Sequence, residues 1–161
     1  MKPLLISFIL CVHLFSCSQN KKIYNPQDNA KEKIDSIVIA AQKEHKYVLL
    51  QIGGNWCIWC QRFNKLTEEN KDLKNIIDEN YLVYHVNYSK ENKNEEILTA
   101  LDNPEQYGFP VFVILNEKGE RIHTQQSDLL EHEGTSGYDI NKVTKFLEEW
   151  SPKIIENKTL H

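Results

Sequence analysis

Apolar positions mark out the elements before any motif does. Ile34, Ile37, Val38 and Ala41 recur at i, i+3, i+4 and i+7, which predicts an amphipathic helix with Asp28 placed to cap it. Tyr47-Val48-Leu49-Leu50-Gln51-Ile52 is nearly continuous in apolar residues, the pattern of a strand buried on both faces. Gly53-Gly54-Asn55 breaks that run, and a helix is expected from about Cys57, turning Phe63 and Leu66 inward. Helical spacing resumes at Leu73, Ile76 and Ile77, with Asn70 between the two stretches. Tyr81–Val86, rich in aromatic and β-branched residues, predicts a second strand and a place in the core. A charged helix around Asn94–Leu101 and a loop over Asp102–Phe109 lead to a third strand, Pro110–Leu115. Asn116-Glu117-Lys118-Gly119 is a turn, and Glu120–Gln125 returns as its antiparallel partner. Ile140, Val143, Phe146, Leu147 and Trp150 form the stripe of a last helix, which Asp139 can cap and Pro152 keeps short. This order predicts an α/β fold, a three-layer α/β/α sandwich around a central mixed sheet. The strands are expected to run mostly parallel, the closing hairpin adding an antiparallel edge.

Composition narrows the class. The 161 residues suit one domain, and 40% of them are hydrophobic, too many for a disordered chain. Nineteen basic against 23 acidic residues leave a net charge of -4, without the basic stripe of a nucleic-acid binder. No internal repeat is visible.

The first residues read as an address. Met1-Lys2 precede an apolar run from Leu4 to Phe15, shorter than the roughly 20 residues that cross a bilayer and typical of a signal-peptide core. Leu14-Phe15-Ser16-Cys17 then gives way to a polar stretch, and it resembles the lipobox of bacterial lipoproteins, apart from the bulky Phe15. The resemblance implies cleavage after Ser16 and acylation of Cys17; secretion with a free Cys17 is the plainer alternative. The chain therefore divides into a signal peptide (1–16), a lipidated tether (17–27), one domain (28–152) and a C-terminal tail (153–161). Localisation is expected at the bacterial cell envelope, facing the periplasm, on the outer rather than the inner membrane because position 18 is neither Asp nor Glu. Of four cysteines, only Cys57 and Cys60 then remain in the folded part, spaced C-x-x-C in a compartment that permits disulfides.

The segment Val48–Phe63, VLLQIGGNWCIWCQRF, resembles the strand–Trp-Cys-x-x-Cys–helix unit of the thioredoxin-like family. Gly108–Glu120, GFPVFVILNEKGE, resembles that family's cis-proline strand and closing hairpin. A lone CxxC is weak, but the two segments in this order carry the identification across residues 30 to 151. Within the superfamily the chain is most similar to secreted thioredoxin-like domains and to the C-terminal domain of the interchange protein DsbD. The resemblance implies a thiol:disulfide oxidoreductase acting on exported proteins, a reductase or isomerase rather than a primary oxidant.

Roles follow from placement. A thiolate is the nucleophile, and free Cys, with a pKa of about 8.5, is mostly protonated at neutral pH. Cys57 falls at the first turn of a helix, where unpaired N–H groups and the dipole favour negative charge, so it should attack and Cys60 should resolve. By resemblance Pro110 follows a cis bond and faces the pair. Its missing N–H leaves room for an extended client segment. Trp56, Trp59 and Phe109 are the candidate client-binding side chains.

The sequence departs from the family at Gln51, where thioredoxin has a buried Asp that helps deprotonate the resolving thiol. Gln cannot take a proton, so Cys60 either reacts slowly or uses another base, for which His85 and Glu68 are the candidates. Ile58-Trp59 replaces Gly-Pro between the cysteines, so redox direction is not readable. The long connection Gln126–Tyr138, with Glu131-His132-Glu133, is a client-binding lip or a solvated loop. Against these stand blander readings: an inert disulfide, or half of a zinc site. Zinc would need a second ligand pair, which His13, His45, His85, His123, His132 and His161 do not offer at ligand spacing. No metal or other cofactor is expected beyond the Cys57–Cys60 disulfide. The partners expected are thiol- or disulfide-bearing exported clients, a membrane electron-donor protein and the lipid reached through acylated Cys17. A client-holding or chaperone-like module with incidental redox activity is the competing function.

Overall fold

The computed structural model describes residues 22–159. The expected signal segment, the candidate acylation site Cys17 and the start of the expected tether lie outside the described residues. Helix α1 (Ala30–Glu44) begins after Asn29, whose side chain accepts from Glu32 N; the cap is thus Asn29 and not the expected Asp28. Asp28 is engaged elsewhere, accepting from Asn25 Nδ2 at 2.7 Å. Strand β1 (Tyr47–Gly53) is buried along its whole length. Helix α2 (Ile58–Glu69) ends at Asn70, which caps α3 (Lys71–Asn80) by accepting from Asp72 N and Leu73 N. The chain continues through β2 (Tyr81–Asn87), the short α4 (Glu95–Ala100), β3 (Val111–Leu115) and β4 (Arg121–Gln126). Asp139 caps α5 (Ile140–Glu149) through Asn141 N and Lys142 N, as expected. The stretch read as a tail is helical as well: α6 spans Pro152–Thr159, and Ile155 packs on the core.

The sheet order is β2-β1-β3-β4. Only β1 and β2 run parallel; β1–β3 and β3–β4 are both antiparallel, which corrects the expectation of a mostly parallel sheet. The connection before β3, residues 88–110, returns the chain to the end where β1 and β2 finish, and β3 starts there, with Val111 opposite Ile52. This reversal carries Pro110 to the end of β1.

Alternation sorts the strands into two cores. Val48, Leu50, Ile52, Val111 and Val113 face α1 and α4, meeting Ile34, Ala41 and Leu98. Tyr47, Leu49, Phe112 and Ile114 face the other way, meeting Phe63, Leu73, Val143 and Phe146. Helices thus cover both faces, and the three-layer sandwich holds. Strand β2 lies at the sheet edge and is less enclosed than its aromatic content led us to expect. Tyr81 and Val86 are buried, while Tyr84 and His85 are half-exposed. No helix among the described residues is long and apolar enough to cross a membrane.

Candidate active site

The end of β1 runs through Gly53-Gly54-Asn55-Trp56 into α2, and Cys57 is the N-cap of that helix. It sits just before the first turn instead of within it. Cys57 Sγ accepts from Cys60 N at 3.1 Å, so sulfur takes the place of the usual Ser or Asp oxygen. Cys57 N in turn donates to Gly54 O at 2.9 Å. The two sulfurs are joined, with Cα atoms 5.3 Å apart. The Cys60 N–H and the positive end of the helix dipole are therefore already aimed at Cys57 Sγ, where a thiolate would carry its charge.

Cys57 is itself only 4% exposed, but one flank of the disulfide borders exposed surface. Trp56 is 59% exposed, and its Nε1 donates to Tyr88 O at 2.8 Å, which fixes the indole next to Cys57. Phe109 meets the Trp56 ring edge-on at 5.4 Å and leans on Tyr88 at 4.7 Å. Phe109 also packs against the cluster of Tyr24, Cys57 and Cys60. The Phe109–Pro110 bond is cis, and Pro110 is buried one step beyond the Ile52–Val111 pair, level with Gly53. The structure thus packs Phe109 and Trp59 against the cysteine cluster, with Trp56 beside Cys57 in the chain and Pro110 at the adjoining strand end. Trp59, half-buried, also meets the Tyr138 ring edge-on at 5.4 Å, with the Arg62 guanidinium over it at 4.8 Å.

The other flank is closed, and by a residue the sequence reading left in the tether. Tyr24 is 2% exposed and belongs to the same cluster as both cysteines. Asn55 clips it in place: Asn55 Oδ1 accepts from Ile23 N and Tyr24 N at 3.1 Å each, and Asn55 Nδ2 donates to Tyr24 O at 2.8 Å. Gln51, equally buried, donates through Nε2 to the Tyr24 hydroxyl at 2.9 Å and to Cys60 O at 3.0 Å. Burial pushes the Tyr24 phenol far above its ordinary range, so the hydroxyl keeps its proton. Gly53 supplies the space: a Cβ there would lie 2.4 Å from Cys60 Sγ and 3.0 Å from the Tyr24 oxygen. The two signals that could have found this corner are Ile23-Tyr24, isolated apolar residues in a polar stretch, and the missing acid at Gln51.

The candidate bases lie further off. His85 is paired in register with Gln51 and meets the Tyr24 ring edge-on at 5.4 Å. Together with Glu68 it lines a cavity of about 170 Å³ that Gln51 and Phe63 border. The long connection after β4 is braced to the site at one end. Tyr138 hydroxyl lies 2.7 Å from Ser127 Oγ and donates to Trp59 O at 3.3 Å, while residues 132–136 are exposed. Among the described residues no group of three or more His, Cys, Asp or Glu side chains is arranged to hold a metal ion.

Comparison with known proteins agrees with this geometry. Residues 28–117 match the family model described as thioredoxin-like. A disulphide isomerase from Xylella fastidiosa Temecula1 superposes with a TM-score of 0.67 at 23% identity, over 78% of this chain and 94% of its own. A thioredoxin from Thermus thermophilus gives 0.53 at 17% identity, over 71% and 81% of the two chains. A DsbH oxidoreductase gives 0.50 at 18%, over 71% and 78%. No curated protein matches the sequence.

Proposed function

Since the chain belongs to the thioredoxin-like family, we propose that it is a thiol:disulfide oxidoreductase that reduces or isomerises disulfides in exported proteins through Cys57 and Cys60. The observation that carries this reading is the N-cap sulfur. Cys57 Sγ receives the Cys60 N–H at the start of α2 and borders the open flank made by Trp56 and Phe109. A client disulfide entering there meets a sulfur whose negative charge the helix terminus favours. Attack forms a bond from Cys57 to one client sulfur and releases the other as a thiolate. Cys60, fully buried beside it, then attacks Cys57 Sγ and frees the client. The structural neighbours described as a disulphide isomerase and an oxidoreductase support the same class of chemistry.

The lipobox-like start supports the further proposal that the domain is held at the envelope surface through acylated Cys17, with a membrane electron-donor protein returning electrons to the pair. With dithiothreitol as electron source, insulin reduction by the wild-type chain should exceed that of Cys57→Ser, whose rate should match buffer alone. Equal rates would reject the enzyme reading and leave a client-holding module. A reduction potential near thioredoxin's, about -270 mV, marks a reductant, whereas one near DsbA's, about -120 mV, marks an oxidant and rejects the direction proposed.

A further inference from the structure

The buried carboxylate expected beneath the resolving cysteine is replaced by Gln51, and Gln51 points its amide at a tyrosine. A phenol has one proton to donate and an oxygen that accepts in the ring plane. Gln51 Nε2 takes the accepting side of the Tyr24 oxygen at 2.9 Å, so the O–H must be directed elsewhere. The space above Gly53 is shared by that oxygen and by Cys60 Sγ, both lying within 3.0 Å of where a Gly53 Cβ would be. The groups packed around this corner are His85 from β2, Gln51 from β1 and Cys57 at the N-cap of α2, and Tyr138 from the connection before α5 acts on it electrostatically. None is a carboxylate; Glu68 stands on the cavity beyond Gln51.

We propose that the Tyr24 hydroxyl is the hydrogen-bond donor to Cys60 sulfur when the disulfide opens, aimed there by Gln51 and held by the Asn55 clip. The inference rests on the redox function proposed above and names the group that manages charge on its resolving side. In the mixed disulfide, Cys60 loses its proton and its sulfur attacks Cys57 Sγ. The Cys57–Cys60 bond forms as the bond from Cys57 to the client breaks, and the client sulfur leaves as a thiolate that takes up one proton. Two electrons have then passed from the cysteine pair to the client. Tyr24 keeps its own proton throughout and stabilises negative charge on Cys60 as that charge develops. The raised ionisation range of the buried phenol suits a donor and excludes a base.

The test uses the full chain with Cys57→Ala, so that Cys60 is the sole cysteine of the tryptic peptide spanning residues 47–62. Iodoacetamide labelling of that peptide is followed against pH with and without Tyr24→Phe. A hydrogen bond to a charged acceptor is worth enough that its loss should slow Cys60 labelling at pH 7 about tenfold and move the profile to higher pH. In a Cys60→Ala background the same substitution should leave the Cys57 profile unchanged. A merely loosened strap would expose Cys60 and speed its labelling, the opposite sign. An unchanged Cys60 profile in folded Tyr24→Phe overturns the proposal. Should Tyr24→Phe fail to fold, 3-fluorotyrosine at position 24, a stronger donor, must shift the Cys60 profile to lower pH, and no shift there overturns it equally. Insulin reduction by the wild-type chain separates the layers: turnover without a Tyr24 effect removes the donor alone, and a Tyr24 effect without turnover removes the enzyme.

Discussion

Cys57 and Cys60 stand one helical turn apart and share a bond, yet their surroundings differ in kind. Around Cys57 the chain offers surface: an exposed indole, an aromatic neighbour in Phe109 and the N–H groups of a helix terminus. Around Cys60 it offers closure: Tyr24, Gln51 and the bare backbone of Gly53, with no solvent access. The open side rests in part on local sequence, since Trp56, Cys57 and the cap lie within a few residues of one another, while Tyr88 and Phe109 reach it from further along the chain. The closed side is assembled at long range, because the Asn55 clip joins residues 31 and 32 positions apart. Capture of a client thus centres on one motif braced by Tyr88 and Phe109, whereas its release depends on how the N-terminal segment packs back onto it.

Removing the second sulfur separates the two sides most completely. Cys60→Ser should retain attack by Cys57 but lose release, so turnover should fall to background while mixed disulfides with clients accumulate on non-reducing gels. An empty gel would mean that Cys57 does not attack alone, and the division of labour between the flanks would fail. A smaller effect is expected from Gly53→Ala. The new Cβ would collide with Cys60 Sγ and press on the Tyr24 oxygen, and overpacking of this kind costs about 1–3 kcal/mol. Urea denaturation of the oxidised protein measures the loss. Wild-type stability in Gly53→Ala would mean that the corner is not packed as described.

Much of this was readable from residue order. The continuous run of β1, the CxxC at a strand–helix junction, the Phe109-Pro110 segment and the Asp139 cap all lie in local patterns, and each stands where those patterns put it. Strand direction was not readable, because alternation of helix and strand does not reveal at which end of the sheet a connection leaves the chain; β3 starts where β1 ends and runs antiparallel to it. Tyr24 was not readable either. A single aromatic in a polar stretch has no period, and its partners Gln51 and Asn55 lie about thirty residues away. Gln51 gave the sharper hint, as a buried amide needs hydrogen-bond partners that a strand pattern does not name.

A titration remote from both flanks provides the last and smallest test. His123 on β4 is half-buried, its ring stacked on Trp150 at 3.9 Å, with Nε2 3.1 Å from Gln125 Oε1. Burial lowers its pKa below the ordinary histidine value of 6.5, against smaller opposing effects from Gln125 and Glu149. The fold thus favours the neutral ring. Its contribution to stability is complete above the unfolded-state value and is lost as pH falls through the lower, folded-state value. His123→Gln should therefore flatten the decline in stability below about pH 6.5, measured as the urea midpoint at pH 7.5 and at pH 5. An unaltered acid slope would show that the ring is not shielded as its stacking implies. Because His123 touches neither cysteine flank, the labelling profiles of Cys57 and Cys60 should not move with it. If they did, the two flanks would share a pH-dependent state of the whole sheet, and the difference between them would belong to the fold and not to the local partners of each sulfur.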